Sequence, residues 1–221
     1  MKLKNLTRTE LVNYTTGQLL HFFPDNRQDN TRSHIEAHID QALDRLKKNI
    51  NAILAWPNNE FNYLHSSQYC HYLYFLANTI WNELGDSILC TKLFLLNKAL
   101  NGIDCFYEIK LPDIFYIGHS VGIVLAKATY SNYMVLYQNS TVGKNHGVAP
   151  ILEEGVVLYP NTAIIGRSRV RKGTILSQGT SIINQDTPGS CVVYSGLDGK
   201  LVFKQPKRQV LEDIFRNPQT G

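Results

Sequence analysis

The sequence predicts an α+β chain: an N-terminal all-α domain, then a left-handed parallel β-helix built of hexapeptide repeats, then a short C-terminal tail. Three observations predict it. From Leu152 onward every sixth residue is a branched aliphatic, namely Leu152, Leu158, Ile164, Val170, Leu176 and Ile182. The first hundred residues instead carry apolar side chains at helical spacing behind capping signals. An apolar fraction of 43% in 221 residues is ample for a buried core.

The helical domain is placed at 1–103. Thr7-x-x-Glu10 and Ser33-x-x-Glu36 both look like capping boxes, the second opening a run through Ile35, Ile39, Leu43, Leu46 and Ile50. Trp56-Pro57-Asn58-Asn59 breaks the chain. A third helix is expected from about Ser66 to Leu84 with Gly85 as its stop, and a fourth from Asp86 to Asn101 closed by Gly102. The aromatic crowd Tyr69, Tyr72, Tyr74, Phe75 and Trp81 reads as packing or subunit interface, not as a cofactor box. His34 and His38 stand at i and i+4, a spacing that can chelate zinc, but Glu36 does not match H-E-x-x-H and no third ligand is near, so no metal is expected.

The solenoid is placed at 104–205. A six-residue period returns a side chain to one direction only if the chain turns a corner every hexad. Four residues after each aliphatic stands a smaller partner: Val156, Thr162, Ser168, Thr174 and Thr180. Three hexads make one triangular coil, with the aliphatic inside and the smaller residue beside it near the corner. The register extends back through Val142, Leu136, Tyr130 and Val124, paired with Ser140, Met134 and Ala128. Between Val142 and Leu152 the spacing is ten, so Gly143–Pro150 should loop out, either as an ordinary surface loop or as the lining of a site. In the tail, 206–221, Lys207 and Arg208 precede Val210, Leu211, Ile214 and Phe215, a pattern suited to a short amphipathic helix closing the assembly.

A formal charge of +4 without interleaved aromatics argues against a nucleic-acid surface and suits a phosphate-bearing small ligand. Cys70, Cys90, Cys105 and Cys191 have no zinc or CxxC spacing and are expected to be reduced. No apolar run reaches membrane-spanning length and no signal segment follows Met1, so a soluble, cytoplasmic protein without a membrane span is expected.

One stretch carries chemistry. Asp104 stands fifteen residues before His119, and Gly118-His119-Ser120-Val121-Gly122-Ile123-Val124 follows without a gap. With the helices before it, the stretch from Ile103 to Ile183 resembles the catalytic half of serine acetyltransferases, members of the hexapeptide acyltransferase superfamily. That resemblance implies an acetyl-CoA-dependent acyltransferase in which His119 is the general base and Asp104 orients it. Alcohols are poor nucleophiles at neutral pH, so attack on a thioester needs a base that titrates near pH 7, and a carboxylate on the far ring nitrogen fixes the tautomer. It also implies a homotrimer, or a dimer of trimers, with acetyl-CoA in the groove between neighbours. Tyr159 and Pro160, then Gln178 and Gly179, stand where the family holds the pantetheine arm. Arg167, Arg169, Arg171, Lys172 and Lys204 are the cations available to the phosphates. Backbone N–H groups near Gly143 or Gly147 are candidates for the oxyanion.

The departures matter as much. The family reads serine with an Asp before a Pro in the helical domain, an Asp before the catalytic His, and an Arg-His pair before a Pro in the loop. Here those places hold Trp56, Gly118, Val148 and Ala149, and His146, three residues before Ala149, either replaces the second histidine or is an ordinary surface residue of the loop. A zwitterion would meet few matching charges. The expected acceptor is therefore a small-molecule alcohol, foremost a sugar hydroxyl of surface-polysaccharide synthesis, held by aromatic faces such as Trp56, Tyr130, Tyr133 and Tyr137. Genuine serine acetylation and a catalytically dead scaffold remain as alternatives.

Overall fold

The computed structural model describes residues 1–25 and 28–218. Four helices come first: α1 (Arg8–Phe22), α2 (Gln28–Ala52), α3 (Ser66–Leu84) and α4 (Ser87–Asn101). Thr7 and Glu10 form the expected reciprocal capping box at α1. The second box does not form, because α2 begins earlier, at Gln28. Ser33 sits inside that helix and bonds back to the Asn30 carbonyl at 3.1 Å. Gly85 and Gly102 end α3 and α4 at φ values of 68° and 65°, and Asp86 caps α4 by accepting from the N–H groups of Ile88 and Leu89. Residues 67–80 of α3 are buried all round, so this helix is the bundle's centre and its aromatic residues are core. The His34 and His38 rings are engaged locally, His34 Nδ1 with Asp86 Oδ2 at 2.8 Å and His38 Nδ1 with the His34 carbonyl at 2.7 Å.

The chain then winds through about five turns of parallel β-solenoid with three faces. The first face stacks Phe115–Gly118, Met134–Tyr137, Val157–Leu158, Ile175–Leu176 and Val192–Ser195. The second stacks Asp104–Cys105, Val124–Leu125, Thr141–Gly143, Ala163–Ile165 and Ser181–Ile183, and the third Thr129–Tyr130, Ile151–Leu152 and Arg169–Val170. All six aliphatics of the repeat are fully buried in the prism. Their smaller partners turn the corners. The hydroxyls of Ser140, Thr162, Ser168 and Thr174 each donate to the carbonyl three residues back, at 2.6 to 3.0 Å, so a polar group is satisfied where the interior narrows. One register position differs. Val124 faces outward at 45% exposure and Leu125 fills the interior, because only a five-residue step separates Leu125 from buried Tyr130.

The last coil is closed by an antiparallel strand, Leu201–Lys204, on Val192–Ser195. The tail that follows is a strap with a single 3-10 turn, Val210–Asp213, not an amphipathic helix. It runs back along the edge between the third and first faces, and Phe215 is buried edge-on against Tyr133 and bridges Ile53. Arg216 ends the strap: its guanidinium donates to the carbonyls of Asn51, Ile53, Leu54 and Trp56 at 2.6 to 3.1 Å, clasping the last turn of α2 and the segment that follows it. No described helix is long and apolar enough to cross a membrane, and all four cysteines are free and buried.

Candidate active-site edge

His119 follows the strand Phe115–Gly118 at the corner where the first face turns into the second. Residues 119–123 make this corner, whereas 138–140 suffice one coil later. The wider loop is pinned on both sides: Gly122 N–H donates to the Gly102 carbonyl at 2.9 Å, Asn139 N–H to Val121 at 2.9 Å, and Ser120 Oγ to Asn101 at 2.6 Å. Gly122 is required there, since its φ is 76° and a Cβ would run into the Asn139 amide. His119 itself has φ 61°, which turns its side chain out, and the ring is exposed with no hydrogen bond among the described residues.

Asp104 lies in the preceding coil beside the same loop, its N–H donating to the Ile123 carbonyl at 2.8 Å. Its carboxylate accepts from Lys98 Nζ at 2.7 Å, near the end of α4, and no hydrogen bond joins it to His119. The orienting bond expected from the sequence is not made; the carboxylate is paired with Lys98 instead.

Register brings several other candidates onto the His119 edge. Gly118 pairs with Tyr137, and Leu136, Leu158 and Leu176 lie in register, so His119, Gln138, Pro160 and Gln178 occupy equivalent corner positions in successive coils. At about 4.8 Å per coil, His119 and Gln178 are roughly 14 Å apart along the edge. Gly179 has φ 75° and open space where a Cβ would stand. Tyr159 stacks on Tyr137 with centroids 5.5 Å apart and planes 4° from parallel. One coil beyond Ser177 is Tyr194, with Lys204 Nζ 5.3 Å above its ring.

Other candidates lie elsewhere. Lys172 is on the edge between the third and first faces, where it pairs with Glu154 at 3.1 Å and lines a cavity of about 360 Å³ beneath the strap. Arg169 is paired with Glu153 at 2.6 Å on the third face. The loop after Gly143 folds as a tight turn: Asn145 and Val148 exchange two backbone hydrogen bonds at 3.0 Å around His146 and Gly147, whose φ values are 48° and 80°. It leaves the opposite end of the second face, so within one chain His146 and Gly143 are not on the His119 edge. Trp56 is core, 3% exposed, with its ring edge-on to His65, His71 and Tyr116. Tyr130 is interior and Tyr133 lies against Phe215 of the strap. Gly118 is buried, and a Cβ there would stand 2.9 Å from both Tyr116 Cε1 and Tyr137 Cε1.

Sequence reasoning passed over Lys98, Tyr116 and Gln138. Tyr116 meets Tyr137 edge-on at 6.2 Å, burial pushes both phenols above their ordinary range, and Gln138 Oε1 is buried with no hydrogen-bond partner. Among the described residues no group of three or more His, Cys, Asp or Glu is placed to hold a metal ion.

No protein-family model and no curated protein sequence matches the chain. Solved structures do. Serine acetyltransferase from Neisseria gonorrhoeae aligns over 93% of this chain and 82% of its own, at TM-score 0.71 and 17% identity. The Brucella abortus enzyme aligns over 93% and 87%, at 0.71 and 14%. A serine acetyltransferase solved in complex with CoA aligns over 90% and 86%, at 0.69 and 17%. At these identities the likeness speaks for architecture, and the architecture of this chain, a helical domain joined to a left-handed parallel β-helix, is that of the serine acetyltransferases.

Proposed function

We propose that this chain is an acetyl-CoA-dependent O-acetyltransferase that passes acetyl directly to a small-molecule alcohol, foremost a sugar hydroxyl. The observation that carries the proposal is the edge on which an exposed imidazole, a corner stack without charged side chains and Lys204 follow one another at the scale of a pantetheine arm. The sulfur end lies at His119, the arm passes Tyr159, Pro160, Gln178 and Gly179, and Lys204 meets a phosphate. Lys172 joins this group only if a neighbouring subunit presents it. The same holds for His146 and the N–H groups near Gly143, which leads to a homotrimer with one site at each interface.

His119 takes the hydroxyl proton as the acceptor oxygen attacks the thioester carbonyl. The C–S bond then breaks, the imidazolium returns its proton to the leaving sulfur, and the products are the O-acetyl ester and CoA with a free thiol. Asp104 stabilises the imidazolium after exchanging Lys98 for His119. No covalent acyl-enzyme is required.

Release of CoA thiol is measured with acetyl-CoA and serine, homoserine or methyl pyranosides. Saturable turnover with pyranosides is expected, and saturable turnover of serine alone would refute the sugar preference in favour of the serine acetyltransferase reading. His119→Ala should lower transfer by about 10²- to 10⁴-fold. Unchanged thioester cleavage in a folded His119→Ala protein would mean that the edge is a scaffold.

A further inference from the structure

Gly118 is the place to begin, because the rings of Tyr116 and Tyr137 close over this strand residue, each with an edge carbon 2.9 Å from where a Cβ would stand, and its chain neighbour is His119. Tyr159, stacked on Tyr137 one coil further, ends the aromatic wall on the side where the donor's arm begins. Trp56 backs the wall from the core, its ring 5.8 Å from Tyr116. The three tyrosines are only partly buried, so ring surface remains available.

A second observation is independent of the rings. Gln138 directly follows Tyr137 and occupies the corner position one coil below His119. Its amide oxygen is shielded from solvent without a hydrogen-bond partner. Buried acceptors in folded proteins are nearly always paired, so an orphan beside an imidazole calls for a donor from a ligand.

We infer that Tyr116, Tyr137 and Gln138 form the acceptor subsite, and that its occupant is a neutral pyranose ring. The C–H face of the sugar lies on the tyrosine rings, one hydroxyl donates to Gln138 Oε1, and a neighbouring hydroxyl reaches His119. Aromatic faces and one amide suit a polyol, and neither carries a formal charge to pair with both ends of a zwitterion. Gly118 is then a specificity residue: any side chain there pushes the two rings out of place. The inference deepens the acetyl-transfer proposal and rests on it for the role of His119, but binding is measured without acetyl-CoA, so the two stand or fall separately.

The probes are methyl β-D-glucopyranoside and methyl β-D-galactopyranoside, with L-serine as the charged comparison. Saturation-transfer NMR on the full chain should transfer magnetisation to the C–H protons of one pyranoside face, and serine should show none. Tyr137→Leu, which keeps apolar bulk, and Tyr116→Leu should each weaken pyranoside binding about tenfold, and Tyr137→Phe should retain it. Gln138→Leu should weaken binding and leave the C–H face pattern intact, and circular dichroism confirms folding of each variant. Absence of transfer to both pyranosides overturns the inference, as does binding unchanged in both leucine variants. It is also overturned if the leucine variants raise the KM for acetyl-CoA alone, which would assign the rings to the donor. Sugar binding with no acetyl transfer would instead defeat the enzyme proposal and leave the subsite standing.

Discussion

Lys98 holds the Asp104 carboxylate at 2.7 Å with the two side chains 51% and 36% exposed. Ion pairs this open to solvent contribute about 0.2–1 kcal/mol, so the pair orients Asp104 without locking it, and the proposed mechanism requires that the carboxylate be released to His119. Lys98→Met should change stability by less than about 1 kcal/mol and leave kcat within a few-fold, whereas Asp104→Asn should lower kcat at least tenfold, about the least expected when a stabilising charge is lost. Steady-state kinetics and urea unfolding decide both. The spacing of Asp104 and His119 could be read because it is local and gap-free, but the hydrogen bond expected from it is not made, the carboxylate being paired with Lys98. Lys98, Tyr116 and Gln138 were not, since their roles come from a helix end meeting a coil and from outward positions that no periodicity marks. Trp56 was assigned to substrate from a departure in one short motif, and the core claimed it.

At the level of elements the repeat announced itself where geometry was strict. Fully buried positions admit only aliphatics, and the narrow corner positions select hydroxyls that bond back to the turn. Where coils widen or skip, as at 119–123 and Val124, a fixed period loses the register by one. The loop after Gly143 was legible as an insertion, but its tight turn follows from His146-Gly147 backbone geometry. The strap was the least legible element, because a single 3-10 turn has no amphipathic length and its partners lie far back in sequence. Arg216 carries it: with several charge-assisted hydrogen bonds to carbonyls, Arg216→Ala should destabilise the chain by about 2–4 kcal/mol in urea unfolding. Arg216→Lys, lacking the planar fork, should recover only part of that loss.

For the whole molecule the seam between bundle and solenoid is the sensitive place. His71 stacks on Phe115 at 4.7 Å, donates from Nδ1 to the Ser67 carbonyl and buries Nε2 without a partner. Desolvation holds its pKa down at about 4. The unfolded chain binds this proton below about pH 6.5 and the folded chain refuses it until about pH 4, so stability is lost as pH falls through that window, by about 3 kcal/mol in all. Unfolding measured from pH 7.5 down to 4.5 should show the decline, and His71→Leu should flatten it. Sedimentation should give a species of three chains, and a monomer would remove the interface on which His146 depends. The strap adds a constraint in time. Arg216 and Asn51 are 165 residues apart, so the carboxyl end of α2 waits until Arg216 has been made before the strap can dock on it. Nascent chains should thus stay protease-sensitive near residues 51–56 until residue 216 has emerged, and a deletion that removes the strap should expose a site in the helical bundle, far along the chain from the lesion.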